Sequence, residues 1–303
     1  RLVTDSDLLI YVNITRTPFS GGWKSIVVGL SSLRSIRHHH RPWPIARGAS
    51  VMDPERSAFQ KLIWEMGTLI EDHLAQKGRR IFTIESVLNN GQPPELAAVH
   101  AGHIPDVHVA TLKVLLRQQV TSFEGQVDLG IWGLSNSLDP YSRFGSINPL
   151  LVANLGCAYA FGLYQNAPLV REGGIAIFVH PCEAKFDTLH QPSYVEFYER
   201  VLPYTNDPVE AWDTFSEDFA HRPEYIYKYR HCYAFHPVHP FFMLAQTGFA
   251  TSARSSSPVP RILPPCAASA SRPSPRCLTP CARLTTASAR AAAWPTIPSR
   301  RPR

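Results

Sequence analysis

The sequence contains no run of 18 or more apolar residues, so no segment of it can span a bilayer as a helix. Its cysteines form no obvious disulfide framework: Cys157, Cys182 and Cys232 are scattered singly, and the other three lie beyond Gly248. A reducing, cytoplasmic compartment is the expectation. The opening, Arg1-Leu2-Val3-Thr4-Asp5-Ser6-Asp7, has neither a start methionine nor a signal peptide, and is expected to begin partway through a longer chain. Beyond Gly248 there is no Asp, Glu, Lys or Gly, while nine arginines fall there. That asymmetry dissolves the formal charge of +6, because the remaining body carries 21 basic against 24 acidic residues. The body therefore gives no electrostatic reason to bind nucleic acid or a membrane surface.

The tail, 249–303, is dominated by Ala, Ser, Pro, Arg and Thr without an apolar period, a composition that cannot build a packed core. It is expected to be disordered, either as an out-of-frame translation of GC-rich coding sequence or as a genuine basic tail. A nucleic-acid-binding tail would betray itself by a salt-dependent affinity lost on deleting 249–303.

What is present centres on Ser20-Gly21-Gly22-Trp23-Lys24-Ser25, directly after an apolar strand, Leu8-Leu9-Ile10-Tyr11-Val12. Small residues before a lone lysine let backbone approach a bound group, and Gly21 and Gly22 suit a sharp turn at a strand end. From Ser25 to Arg37, Ile26, Leu30, Leu33 and Ile36 mark one face of an amphipathic helix ending in His38-His39-His40. A straight helix would separate Lys24 from His40 by roughly 24 Å. For both to touch one ligand the helix must stop early and fold back, and Pro42 and Pro44 support a stop. The plainer reading of the triplet is histidines solvating a helix C-terminus.

Downstream, Asp53 as N-cap and Pro54 at the first helical position open a helix over 53–76, with Phe59, Ile63, Met66, Ile70 and Leu74 on one face. A buried strand, Arg80–Leu88, leads into Asn89-Asn90-Gly91, which locally reads as a turn. Pro93 to Pro105 reads as loop or short helix, Val107 to Phe123 as helix, and Asp128 to Leu134 as strand. Strands after helices predict an α/β fold with mostly parallel sheets flanked by helices. Ligands collect beyond the carboxyl ends of such strands, so the loop 135–142, with Asn136 and Tyr141, is a second candidate wall. An apolar helix follows over 147–163, then a strand, Gly174–Val179, ending in His180-Pro181-Cys182-Glu183. In the helical, aromatic segment 194–249, His231, His236 and His239 are broken up by prolines, and structural or substrate-pocket roles are favoured there over a second metal.

The segment Asp7 to His40 resembles the nickel-dependent lactate racemase family, whose members carry a strand, a Ser-Gly-Gly-x-Lys loop, an apolar helix and a histidine sixteen residues after the lysine, as Lys24 and His40 are here. The resemblance spans about residues 7–245, strongest at 18–40. It implies that Lys24 tethers a nickel pincer nucleotide through a thioamide and that His40 ligates the nickel, with Ser20, Gly21, Gly22, Asn89 and Asn136 around the cofactor. Neutral imidazole with sulfur and carbon donors suits nickel. It further implies substrate contacts at Tyr141, Asn148 and His180, a 2-hydroxy acid as substrate, and cofactor-biosynthesis proteins as partners. The expected domains are 1–115, the end of the cofactor-binding domain, and 116–248, a second α/β domain, with a cleft between them.

Two departures matter. Relatives have Gln-x-x-Lys where Gly145 and Asn148 stand here, which removes a positive charge expected to face a substrate carboxylate. The strand end reads Val12-Asn13-Ile14-Thr15 where lactate racemase proper has a histidine, and the family's other bases lie upstream. Two hypotheses follow: a racemase or epimerase of a 2-hydroxy acid, or a catalytically incompetent fragment or binding protein of the same fold.

Overall fold

The computed structural model describes residues 2–46, 49–135, 147–183 and 185–246. A short helix α1 (Leu2–Asp5) precedes β1 (Leu8–Ile14), which pairs in parallel with β2 (Arg80–Leu88) so that Leu9 faces Ile81 and Asn13 faces Glu85. On the other side of β2, β3 (Leu96–Gly102) runs antiparallel, with His100 opposite Glu85. The alternation of β2 puts Ile81, Thr83, Glu85 and Val87 on the buried face, as a strand with one covered side requires. Between β1 and β2 lie α2 (Gly22–Val27), α3 (Leu33–His39), α4 (Pro42–Ala46) and α5 (Ala58–Ala75). α6 (Ile104–Gln119) and α5 cover the inner face of this sheet, and α2 packs on α5. Among the described residues nothing covers the outer face: Leu8, Ile10, Val12 and Ile14 of β1 are 47 to 69 % exposed.

A second sheet joins β4 (Val127–Gly133) to β5 (Val170–Val179) in parallel. Its inner side stacks Trp132 on Phe178, ring centroids 5.4 Å apart. Between these strands α7 (Pro149–Asn154) continues as a π-helical turn, Leu155–Ala160, whose Gly156 approaches the Phe178 ring so closely that a Cβ would meet it at 2.9 Å. The chain then enters α8 (Pro192–Glu196) with a second π-helical turn (Phe197–Val201), α9 (Pro208–His221), α10 (Pro223–His231) and α11 (His239–Leu244).

The architecture is mixed α/β, two small sheets packed against helices. The described residues fall within one compact unit. One core runs from Phe19 and Trp23 through Leu150 and Phe197 to Phe241, continuous across residue 115. No described helix is long and apolar enough to cross a membrane, and Cys157, Cys182 and Cys232 are free thiols.

The local expectations need three corrections. The run 25–37 is two helices with a break at 28–32, not one. The helix expected from Asp53 starts at Ala58, because Ser57 caps it by accepting from the Gln60 N–H at 3.2 Å; the Asp53 carboxylate instead closes the preceding turn, accepting from the N–H groups of Glu55 and Arg56. Within Pro93–Pro105, expected as loop or short helix, lies β3, whose small residues find a partner in the free edge of β2. That strand gives the first sheet one antiparallel pair beside its parallel one. Asn136, Tyr141, Gly145 and the tail lie outside the described residues.

Candidate functional site

The turn after β1 is held by its own side chains. Ser20 Oγ accepts from the N–H groups of Arg16 and Thr17 at 3.0 Å each and donates to the Thr17 carbonyl at 2.9 Å. Gly21 and Gly22 take positive φ, 91° and 53°, where other residues are strained. Close approach is the second reason for glycine: a Cβ on Gly21 would stand 2.5 Å from Thr15 Oγ1, and one on Gly22 2.7 Å from the His108 ring. The group that comes close to these glycines is thus part of the chain itself.

Behind them sits Glu85, fully buried. Its carboxylate accepts from the Gly22 N–H at 2.5 Å and the Thr15 hydroxyl at 3.2 Å, and lies 3.1 Å from His108 Nδ1. Burial alone would raise this carboxyl, but the hydrogen bonds from His108, Gly22 and Thr15 outweigh it and hold the pKa below the usual value.

Lys24 follows in the first turn of α2, its Nζ 4.0 Å from the centroid of the Phe19 ring. The residue keeps partial surface exposure, yet its ammonium lies deep enough for desolvation to draw the pKa down to about 8. α2 then ends at Val27, and α3 turns back to finish at His40, whose N–H closes on the Ile36 carbonyl. The break brings His40 into electrostatic range of Lys24, whose charge contributes to lowering His40.

Four imidazoles meet here. Nδ1 of His39 and Nδ1 of His40 are 2.8 Å apart, so one donates and the other accepts. His40 lies against the Phe242 ring at 4.3 Å and stands edge-on to His236 at 4.8 Å, centroid to centroid. His236 is 5.2 Å from His239, and the Nδ1 of His239 is 2.6 Å from the Tyr194 hydroxyl. Burial depresses them all: His40 and His236 fall well below the ordinary value, His39 to about 4 and His239 to about 3, with neighbouring positive charge adding to the effect. Near neutral pH the cluster is a set of uncharged imidazoles, the form that ligates metals.

The other expected positions lie elsewhere or are engaged locally. His38 is exposed on α3. Asn89 Oδ1 accepts from the N–H groups of Gly91 and Glu95 at 3.0 and 2.8 Å, closing its turn. Asn148 caps α7, accepting from the Leu151 N–H at 2.8 Å and donating to the Gln191 side chain. His180 accepts from the Cys182 N–H at 2.8 Å at the end of β5. His231 is exposed beside Tyr227, apart from the cluster. The signal for His236 and His239 was in the sequence, as His-Pro-Val-His-Pro among aromatics, but nothing in its spacing tied it to His40, nearly 200 residues earlier. Glu85 was equally visible, as a carboxylate inside an otherwise apolar strand.

Among the described residues no three His, Cys, Asp or Glu side chains converge as a self-sufficient metal site. No protein-family model matches the chain, and no curated protein matches it either.

Proposed function

We propose that this chain carries the lysine and histidine of a nickel pincer nucleotide centre, and that the protein it belongs to racemises or epimerises a 2-hydroxy acid. The observation that carries the reading is the fold-back between α2 and α3, which sets Lys24, over the Phe19 ring, and His40, against the Phe242 ring, around one set of packed aromatics despite fifteen intervening positions. The donor chemistry fits the group. Lys24, with a pKa near 8, has a substantial neutral amine fraction for acyl attachment, and His40 is a neutral imidazole. When bound, the cofactor would supply the acceptor for hydride taken from the α-carbon.

The chain's own residues supply the rest. Glu85 and His108 fix the glycine turn that aims α2, and Phe19 holds the lysine head. Phe59 and Phe242 exclude water from His40. In this reading 1–115 and 116–248 form the two walls of a cleft, with Asn136, Tyr141, Asn148 and His180 on the far wall, and cofactor-biosynthesis proteins load the site in a cytoplasmic setting.

One observation favours the second reading, an incompetent fragment or binding protein. The first amide of α2 points to Glu85, a carboxylate of the chain itself, where a cofactor phosphate would compete for it. The discriminating experiment is mass spectrometry of the Lys24 peptide with nickel analysis, on protein from its native cell. A cofactor-sized adduct with nickel supports the enzyme; an unmodified lysine without metal, in a cell that makes the cofactor, supports the binding protein.

A further inference from the structure

The parallel strands β1 and β2 start together at Leu8 and Arg80, at the end of the first sheet opposite the glycine turn. A cavity of about 470 Å³ opens there, between the last turn of α5, the start of β2 and the residue that precedes α6. Its volume is that of a small-molecule site. Leu74 and Phe82 line it on the apolar side, and Arg79, Arg80 and Glu71 bring charge to its wall. The Glu71 carboxylate is already countered: Oε1 lies 2.6 Å from His103 Nε2, and the other ring nitrogen of His103 lies 3.2 Å from Asp106 Oδ2. Burial alone would lower the His103 pKa, but the two carboxylates outweigh it and raise the value, so this ring holds a proton more readily than a free histidine. Arg79 is 3.6 Å from Asp7, whose side chain is 99 % exposed, a pairing of little strength. The Arg80 side chain has no hydrogen-bond or ion-pair partner among the described residues. Two guanidiniums therefore stand against one carboxylate that a histidine already pairs, a balance that favours an anion.

We infer that this cavity binds a small monocarboxylate with an apolar body, the carboxylate held by Arg80 with Arg79 beside it and the body covering Leu74 and Phe82. The planar fork of an arginine matches a carboxylate through paired N–H donors. A phosphate suits the place less, because a dianion would be repelled by Glu71 and would leave the apolar wall in water. The site shares no residue with the Lys24 and His40 cluster, and it does not depend on the function proposed above.

The test titrates the full chain by calorimetry with hydrocinnamate, with its uncharged counterpart hydrocinnamyl alcohol, and with inorganic phosphate. Wild type is expected to bind the acid about tenfold more tightly than the alcohol, the scale of one charge-assisted pair, and more tightly than phosphate. Arg80→Gln should bring the acid down to the level of the alcohol and leave the alcohol where it was, which shows that the cavity itself is intact. Ala75 lines the cavity from the exposed end of α5, so Ala75→Phe puts a ring into the space without burdening the core. That variant should weaken acid and alcohol alike by about tenfold, which ties the binding to this place and not to Lys24. Arg117→Gln, in the last turn of α6, should change nothing. A wild type that binds the acid no better than the alcohol, or phosphate as tightly as the acid, overturns the inference. So does an Arg80→Gln variant that keeps the preference for the acid, or an Ala75→Phe variant that binds as wild type does.

Discussion

The Gly22 N–H donates to Glu85 Oε1 at 2.5 Å, tying the start of the lysine-bearing helix to the middle of the neighbouring strand. Removing that carboxylate leaves Gly22, Thr15 and His108 facing a buried void. Glu85→Ala is expected to destabilise the fold by about 3 kcal/mol, the scale for breaking a buried pair from one side. Glu85→Gln, which keeps the acceptor oxygen, should lose less. Urea denaturation measures both, and an alanine variant as stable as wild type would contradict the anchoring role.

Acid should weaken the fold well above the carboxylate range. An unfolded histidine takes up a proton near pH 6.5, whereas His39 and His239 stay neutral in the fold until about 4 and about 3. Over that interval the unfolded chain binds more protons, so stability falls as the pH drops from about 6.5. His40 and His236 are shifted in the same direction and add to the loss. Denaturation midpoints collected between about pH 7 and about pH 4 should decline steadily; a flat profile would mean that the imidazoles are not buried as described.

Gly67 sits inside α5, where alanine would ordinarily stabilise a helix by about 1 kcal/mol. Here a Cβ would fall 2.2 Å from the buried Trp23 ring. Gly67→Ala is therefore expected to lower the melting temperature, with a cost of about 1–3 kcal/mol from overpacking. A rise in melting temperature would show that α2 does not pack on α5 in this way.

Lys24 should titrate near pH 8 in competitive acetylation followed by peptide mass spectrometry, because burial lowers its amine. A labelling midpoint at the ordinary lysine value of about 10.4 would remove the basis for its reactivity.

The strands and long helices were legible because their apolar periods are long. β2 stands where Arg80 to Leu88 predicted it, and α6 departs by only a few residues at each end. The break at 28–32 was harder, because Leu30 continues the helical spacing although it is 44 % exposed in the fold. β3 hid behind its alanines and flanking prolines, since a strand of small residues gains its stability from a neighbour's edge and not from its own side chains. Lys24 and His40 could be paired by resemblance. His236, His239 and Glu85 join them through tertiary packing alone, which no local pattern encodes.

The bare side of the first sheet has a consequence for anyone handling the protein. Among the described residues β1 is an outermost strand, with Leu8, Ile10, Val12 and Ile14 facing water and no charged side chain between Asp7 and Arg16. Its unpaired amides and carbonyls are a template on which another extended segment can add. At high concentration the isolated chain should gather edge to edge, and a lysine in place of Val12 would act as a gatekeeper against that growth.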